Sequence, residues 1–200
     1  MATFYVSSGS GDDSNSGESP AQATKTLGGA MGKGMSDGDT VEILDEETYF
    51  EYDIAIDIPN LIITHTASQL GRPKVNALGE DYMWDHQTSG TTFNNIEMFG
   101  AANSIVKRGS YPDYGAHGQF HITDCFIHGS KFFYQYLITG NADNKTSFED
   151  SILYFEDAGG VQAGIYLGEN AVLKNCLITG AYGATAVSYT HLRAHETVLD

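Results

Sequence analysis

Two carboxylates, Asp124 and Asp150, stand at the same position of an eight-residue phrase that recurs along the chain. Carboxylates held side by side can divide the roles of general acid and general base, or they can share a calcium ion. The competing interpretation is structural: Asn fills this position in three other copies, and Asp can replace Asn where the backbone bends. No Lys or Arg lies beside the pair within the repeat, so no complete catalytic set emerges. The structural interpretation is favoured.

A long insert between two copies carries the richest set of candidate ligand-binding side chains. It runs from Asn103 to His121 and reads "NSIVKRGSYPDYGAHGQFH". Exposed aromatic rings stack on sugar rings, and mixed polar groups bind hydroxyls. The candidate ligand-binding residues are Lys107, Arg108, Tyr111, Asp113, Tyr114, His117 and His121. The same aromatics could instead cover the side of the fold or contact a partner chain, and the sequence leaves both interpretations open.

One loop has the spacing of the first calcium ligands in a calcium-binding loop. In "GDDSNSG", Asp12, Ser14 and Ser16 alternate as such ligands do, but the distal Glu ligand is missing. The sequence therefore favours a turn and predicts no cofactor, with Ca²⁺ as the alternative. The acidic stretch "DEETYFEYD" (Asp45–Asp53) is interpreted as a solvated turn and not as a metal site.

Five copies of the phrase align without gaps, and their third position is always Asn or Asp. The copies are "IPNLIITH", "FNNIEMFG", "ITDCFIHG", "FEDSILYF" and "LKNCLITG", starting at residues 58, 93, 122, 148 and 173. The third-position residues are Asn60, Asn95, Asp124, Asp150 and Asn175. Apolar residues occupy mainly the first, fourth and sixth positions of the phrase.

This spacing has a physical cause. Side chains alternate along a strand with period two, and apolar positions spaced by three and then two break that alternation once. A single residue in the left-handed conformation between two short strands produces such a break, and Asn and Asp tolerate that conformation best among non-glycine residues. Repeated about every 25 residues or more, the phrase describes the coils of a solenoid. The five residues are predicted to form a ladder of bends.

The repeat and the N-terminal segment together resemble the right-handed parallel β-helix of the pectate-lyase-like superfamily. The matching N-terminal residues are Tyr5-Val6-Ser7, Gly38-Asp39-Thr40-Val41, Thr48-Tyr49 and Glu51. The resemblance implies an all-β fold with a short N-terminal capping helix. That helix is expected to begin at Ser19 as N-cap, with Pro20 in its first turn and Leu27, Ala30 and Met31 facing the core. Residues 1–37 are expected to form an N-terminal strand, a loop and the capping helix, and residues 38–186 are expected to form the β-helix coils.

The resemblance also suggests a carbohydrate-related function. β-Helix polysaccharide lyases and hydrolases place carboxylates on neighbouring coils, which is where Asp124 and Asp150 are expected. The fold is nevertheless shared by proteins of many functions, so the resemblance specifies architecture more closely than activity.

Two cysteines, Cys125 and Cys176, share the fourth position of the phrase in copies two coils apart. Two strand spacings amount to roughly 9.6 Å, which is too far for a disulfide. We therefore expect two free, buried thiols that behave as small apolar side chains.

The last residues differ in character from the rest. Residues 187–197 read "VSYTHLRAHET", which resembles a translated sequencing adapter of the kind found in genes assembled from environmental DNA. Residues 187–200 are therefore interpreted as a non-native tail, and the chain as a C-terminally truncated fragment.

Composition and charge exclude several classes of protein. The formal net charge is −16, and no basic face for nucleic acid or an anionic membrane is visible. No run of 18 apolar residues and no secretory signal is visible either. We expect a virion or extracellular location that is reached without a signal peptide.

Three functions are compatible with these features. The first is a structural or carbohydrate-binding component of a phage tail fibre or spike that engages surface glycans, with a homotrimer as one expected assembly. The second is a polysaccharide lyase or glycoside hydrolase acting on acidic polysaccharide. The third is a bacterial surface adhesin. A basic groove flanked by carboxylates would favour the enzyme, whereas a long exposed apolar stripe would favour trimeric packing.

Overall fold

The computed structural model describes residues 1–66, 71–88, 90–108, 120–134, 147–155 and 172–180. After an initial strand, β1 (Thr3–Val6), and a short helix, α1 (Leu27–Met31), the chain winds through successive coils. The strands of the coils follow in chain order: β2 (Thr40–Ile43), β3 (Thr48–Phe50), β4 (Ile54–Ile56), β5 (Ile62–Thr64), β6 (Lys74–Asn76), β7 (Tyr82–His86), β8 (Thr91–Asn94), β9 (Glu97–Phe99), β10 (Ser104–Arg108), β11 (Phe120–Thr123), β12 (Phe126–Ser130), β13 (Phe132–Tyr134), β14 (Ser147–Glu149), β15 (Ile152–Phe155), β16 (Val172–Lys174) and β17 (Leu177–Gly180).

Equivalent strands of successive coils form three parallel sheets. Sheet A has the order β1-β2-β5-β8-β11-β14-β16, sheet B has β3-β6-β9-β12-β15-β17 and sheet C has β4-β7-β10-β13. Each pair of neighbours is parallel, as between β8 and β11, where Phe93 pairs with Ile122. The predicted all-β parallel β-helix is therefore confirmed.

Inward-facing side chains stack into rows that fill the space between the sheets. Because strand side chains alternate, every second residue points inward, and equivalent residues lie one strand spacing apart along the axis. Fully buried members of these rows include Val41, Ile63, Phe93, Ile122 and Phe148 from sheet A, Val75, Met98, Ile127 and Leu153 from sheet B, and Ile56, Trp84 and Val106 from sheet C. The rows form one continuous hydrophobic core along the axis.

A column of bend residues separates sheet A from sheet B. Asn95, Asp124, Asp150 and Asn175 have φ values of 57°, 52°, 51° and 52°, in the left-handed region that the repeat predicted. The backbone N–H of Asp124 donates to Glu149 O over 3.1 Å, and the N–H of Asp150 donates to Lys174 O over 3.0 Å. The N–H of Asn95 donates in the same way to Thr123 O over 3.0 Å, so these three bends are hydrogen-bonded to the strand end of the following coil. We refer to these four residues as the bend ladder.

Asn60 does not belong to this ladder, which corrects the alignment of the first copy. Asn60 precedes β5, at the corner between sheets C and A. Because Thr64 pairs with Asn94, the residue that stands next to Asn95 in the column is His65. Asn60 has a φ of 53°, and its corner also includes Gly38 and Gly90 at 77° and 80°. Both corners require a left-handed residue before a short apolar strand, and the eight-residue phrase cannot distinguish them.

The N-terminal segment contains two short helices instead of the single helix expected from Ser19. Ser19 precedes a 3₁₀ turn at Pro20–Gln22, and α1 begins after Thr26, whose Oγ1 accepts a hydrogen bond from Gly29 N. Between them Thr24 pairs with β1, because Thr24 N donates to Tyr5 O and Ser7 N donates to Thr24 O. This pairing keeps the segment extended. Leu27 and Ala30 are buried as expected, and Met31 packs against the core.

The N-terminal residues that carry the family resemblance hold this segment in place. The carboxylate of Asp39 accepts hydrogen bonds from the N–H groups of Ala2 and Ser36. The hydroxyl of Tyr49 donates to Asp45 Oδ1 over 2.7 Å and accepts from Ser8 N over 2.9 Å. These contacts explain the pattern structurally and require no catalytic role.

Both cysteines are free, but their environments differ. Cys125 is fully buried, as predicted, whereas Cys176, which was also expected to be buried, is half-buried. Ser151 occupies the same column between them and accepts a hydrogen bond from Cys125 N over 3.1 Å.

Candidate functional site

A groove of about 470 Å³ lies between α1 and β4. It is lined by Gly28, Met31 and Gly32 from the helical side, and by residues before, within and just after β4, namely Glu51, Tyr52, Asp53, Ile54, Ala55 and Asp57. The groove is therefore formed where the capping helix meets the first strand of sheet C.

The turn between sheets B and C determines which side chains face the groove. Asp53 has a φ of 52° and directs the chain from β3 into β4, where Ile54 and Ile56 point inward and Ala55 points outward. The Tyr52 side chain is 49% exposed at this turn. Its aromatic ring is thus available to a ligand.

The acidic residues of the groove differ in their partners. The Glu51 carboxylate accepts hydrogen bonds from Leu27 N and Gly28 N, both over 2.8 Å. Burial raises the pKa of Glu51, and these two backbone hydrogen bonds oppose that rise. Asp53 and Asp57 are exposed and form no ion pair with any residue that the structure describes. Their charges remain available to a ligand.

The outer face of sheet C continues from this groove over the next two coils. Asp85 on β7 pairs with Ala55 on β4 and with Lys107 on β10. Asp85 Oδ2 accepts a hydrogen bond from Gln87, whereas its Oδ1 is buried without a hydrogen-bond partner in the described part of the chain. The groove together with Asp85 and Lys107 is called the sheet C groove below.

Of the predicted ligand-binding residues, only Lys107 lies on this face with a described side chain. Its Nζ is 5.2 Å from the ring centroid of Tyr82, a cation–π contact. His121 lies instead on sheet A, where its Nδ1 is 2.9 Å from Ser147 Oγ. Arg108 ends β10. Tyr111, Asp113, Tyr114 and His117 lie outside the described residues.

Arg72 contacts the bend ladder, where the sequence indicated no basic residue. Its Nε donates to Asn95 Oδ1 over 3.3 Å, and its Nη2 donates to Asp124 Oδ1 over 2.5 Å. Arg72 lies in the variable connection between β5 and β6, outside the repeated phrase, so the repeat gave no signal for it.

The two carboxylates of the ladder already have partners. Asp124 pairs with Arg72, and Asp150 Oδ1 accepts a hydrogen bond from Asn175 Nδ2 over 3.0 Å. Next to them, Lys174 Nζ lies 3.0 Å from Glu149 Oε2. These contacts are those expected of bend residues. A catalytic role for Asp124 or Asp150 stays a prediction.

The loop with calcium-like spacing is held by hydrogen bonds within the protein. Asp12 Oδ1 accepts from Ser14 N over 2.8 Å, which lowers the pKa of Asp12, and Ser16 Oγ donates to Gln22 over 2.9 Å. In the part of the chain that the structure describes, no three His, Cys, Asp or Glu residues are placed to hold a metal ion. Calcium binding at Asp12, Ser14 and Ser16 stays untested.

The outer face of sheet B is apolar on its later described coils, whereas Lys74 and Glu97 stand in the same outward row on earlier coils. Ile152, Tyr154 and Leu177 are 42%, 46% and 58% exposed on its last coils. One coil earlier the His128 ring stacks on Phe126 and Phe99, with centroids 4.3 and 4.9 Å away. Packing between copies of the chain stays a prediction.

Sequence reasoning missed Tyr52, Asp53, Asp57 and Asp85. The first two were included in an acidic stretch interpreted as a solvated turn, and the others lie outside the repeat. Their only signal is the outward position at or after a strand, which many surface residues share.

No helix among the described residues is long and apolar enough to cross a membrane. No protein-family model matches the chain, and no curated protein matches it.

The fold is similar to that of a solved carbohydrate-active enzyme. The native crystal structure of GH136 lacto-N-biosidase from Eubacterium ramulus matches with a TM-score of 0.55 at 13% sequence identity, covering 88% of this chain and 36% of that chain. The selenomethionine derivative of that enzyme matches with a TM-score of 0.46 at 17% identity. This chain thus spans about a third of the length of the enzyme, and the likeness concerns the fold.

Proposed function

We propose that this chain is part of a carbohydrate-binding β-helix protein and that the sheet C groove holds a sugar. The observation that carries the proposal is the exposed ring of Tyr52 beside a groove of about 470 Å³ whose rim bears Asp53 and Asp57. An aromatic ring offers a surface to the C–H face of a sugar, and carboxylates accept hydrogen bonds from its hydroxyls. The carbohydrate-active neighbour of the same fold is in keeping with this function.

The test is glycan binding by wild-type protein and two aromatic variants. Tyr52→Ala removes the ring at the groove, and Phe50→Ala removes an exposed ring, 61%, from β3 outside the groove lining. We expect Tyr52→Ala to abolish binding on a glycan array and Phe50→Ala to retain it. Equal loss in both variants, or binding unaffected by Tyr52→Ala, would refute the groove as the site.

A phage tail fibre or spike component, present in the virion or extracellular, is the setting we propose, and a surface adhesin is the alternative. The apolar outer face of sheet B on its later described coils supports a homotrimer, because packing copies together would bury this apolar surface and stabilise the assembly. Substituting Ile152 and Leu177 with Lys should convert an assembly to monomers in sedimentation. A wild-type monomer would refute the trimer.

A lyase or hydrolase is the second candidate function. One observation favours it: Asp124 and Asp150 occupy adjacent rungs, about 4.8 Å apart along the axis, with the cationic Arg72 on Asp124. Incubation with polyuronates and neutral polysaccharides tests it. Product release that Asp150→Asn abolishes, at unchanged stability, would establish an enzyme; no release by full-length protein would exclude the pair as catalytic.

A further inference from the structure

We infer that Leu78 is a second ligand-contact residue beside Tyr52, and that the ligand is an oligosaccharide extending along the solenoid axis from one coil to the next. This inference rests on the proposed carbohydrate-binding function and deepens it, because it gives the size of the ligand and a residue outside the groove that contacts it.

Leu78 has a backbone conformation that leucine avoids. Its φ is 58°, whereas the other non-glycine residues with left-handed φ in the described ranges are all Asn or Asp. In this conformation Cβ crowds the neighbouring backbone, which is unfavourable for a side chain as bulky as that of leucine. Strained backbone of this kind is concentrated at functional sites, so the position calls for an explanation.

The fold alone does not account for a leucine at this position. Leu78 is 56% exposed, so burial in the core does not offset the strain. The turn is fixed by backbone donors: Leu78 N donates to Asn76 Oδ1 over 2.8 Å, and Gly79 N donates to Gly100 O over 2.7 Å. Asn or Gly in place of Leu78 would keep the same hydrogen bonds without the strain. What leucine adds is an exposed apolar side chain.

The turn that carries Leu78 lies directly beside Tyr52 on the preceding coil. Two backbone hydrogen bonds, both of 3.1 Å, join the two coils on either side of Tyr52: Glu51 N to Asn76 O and Asp53 N to Tyr82 O. Tyr52 therefore lies opposite residues 77–81, which form the turn between β6 and β7. Tyr52 is 49% exposed, so both side chains are accessible at the same corner of the solenoid.

An aromatic ring and an aliphatic side chain on neighbouring coils form an apolar surface that is longer than one sugar contact. Strands of neighbouring coils lie about 4.8 Å apart, so Tyr52 and Leu78 suit successive rings of one glycan chain. The C–H face of one sugar contacts the Tyr52 ring at the groove, and the next sugar packs on Leu78. A monosaccharide held at the groove would leave Leu78 without a contact.

The test measures stability and binding on the same variants. Leu78→Asn removes the apolar side chain and tolerates a left-handed backbone, so its urea midpoint should lie above that of wild type. The probe for binding is the oligosaccharide that wild-type protein binds most strongly on a glycan array. Leu78→Asn should weaken its affinity about three- to tenfold in calorimetric titration. Shortening the probe to its monosaccharide should remove the difference between variant and wild type.

Leu78→Met is the matched control, because it keeps an apolar side chain on the same strained backbone. It should bind the oligosaccharide as wild type does and show no rise in the urea midpoint. Equal weakening by Leu78→Met and Leu78→Asn, or a lower urea midpoint in Leu78→Asn, would overturn the inference, since either result assigns Leu78 to the fold instead of the ligand.

The outcomes also separate this inference from the proposed function. If Leu78→Asn binds the oligosaccharide as wild type does while Tyr52→Ala does not bind it, the ligand ends at the groove: the inference fails and the proposed function stands. If Leu78→Asn weakens the monosaccharide and the oligosaccharide equally, the extended ligand is refuted alone. If no glycan binds to wild-type protein, both fail.

Discussion

Arg72 joins two coils of the solenoid through side chains that are far apart in the chain. Its guanidinium donates to the amide oxygen of Asn95 and to the carboxylate of Asp124, which lies 52 residues later. The contact fastens the connection before β6 to the bend ladder. It also supplies the positive charge that the repeat alone does not place near Asp124.

Replacing Arg72 should weaken the fold modestly. Because the Arg72 and Asp124 side chains are 31% and 51% exposed, solvent screens their attraction, and Arg72→Met should cost about 0.5–1 kcal/mol of unfolding free energy. Urea denaturation measures the change. Lys74→Met is the control, since Lys74 is exposed and forms no ion pair with a described residue. In a double-mutant cycle with Asp124→Asn, strictly additive losses would show that the two side chains are not coupled.

Two glycines with positive φ should respond differently to Ala. Gly34 has a φ of 71° and open space around it, so Gly34→Ala should cost about 1–2 kcal/mol from backbone strain alone. At Gly90 a Cβ would meet the Oδ1 of Asn60 and lie 3.2 Å from its Cα, so Gly90→Ala should cost about 2–5 kcal/mol. Thermal unfolding compares the variants. Equal losses would contradict the stacking of Gly90 on Asn60 at that corner.

Removing the Tyr49 hydroxyl should destabilise the N-terminal segment. Tyr49→Phe removes the side-chain acceptor of Ser8 N and the hydroxyl that donates to Asp45 Oδ1, and we expect a loss of about 1–3 kcal/mol of unfolding free energy in chemical denaturation. Tyr52→Phe is the matched control, because Tyr52 is exposed, and it should change stability by less than about 0.5 kcal/mol. Equal effects would contradict the assigned role of the hydroxyl.

The stability lost in Tyr49→Phe should depend on pH. Burial raises the pKa of Asp45, but hydrogen bonds from Ser7, Tyr49 and Gly9 outweigh burial and leave it below its usual value. A carboxyl with a lowered folded pKa contributes stability above its unfolded pKa of about 3.9 and loses it as the pH falls through the folded value. The difference between wild type and Tyr49→Phe should therefore shrink in acid. If the difference in unfolding free energy between wild type and Tyr49→Phe did not change with pH, the Tyr49 hydroxyl would not act through Asp45.

The two thiols should react in distinct phases. Burial raises the pKa of Cys125 to about 12, so its thiolate is scarce at neutral pH, whereas Cys176 is half-buried and accessible. Alkylation of the native protein should modify one thiol, and unfolding should expose the second thiol to the reagent. Cys176→Ser should remove the fast phase. Fast modification of both thiols in the native state would show that Cys125 is not enclosed.

The positions of the bends and the alternation of the strands could be predicted from the chain itself, because both depend on local conformational preference. Asn95, Asp124, Asp150 and Asn175 tolerate a left-handed backbone, and the residues around them alternate with period two. That was sufficient to predict the stacked coils of a solenoid, and the resemblance to the pectate-lyase-like superfamily then implied a parallel β-helix. It was not sufficient at Asn60, where the same local signal belongs to another corner of the coil.

Only the tertiary structure decided which distant residues meet. The pairing of Ala55 with Asp85, the contact of Arg72 with Asp124 and the groove between α1 and β4 all depend on register between coils. Register is set by the packing of complete coils and by connections of variable length, which no local pattern encodes. Local preference therefore determined the coil, and stacking of the coils determined the surface on which a ligand could bind.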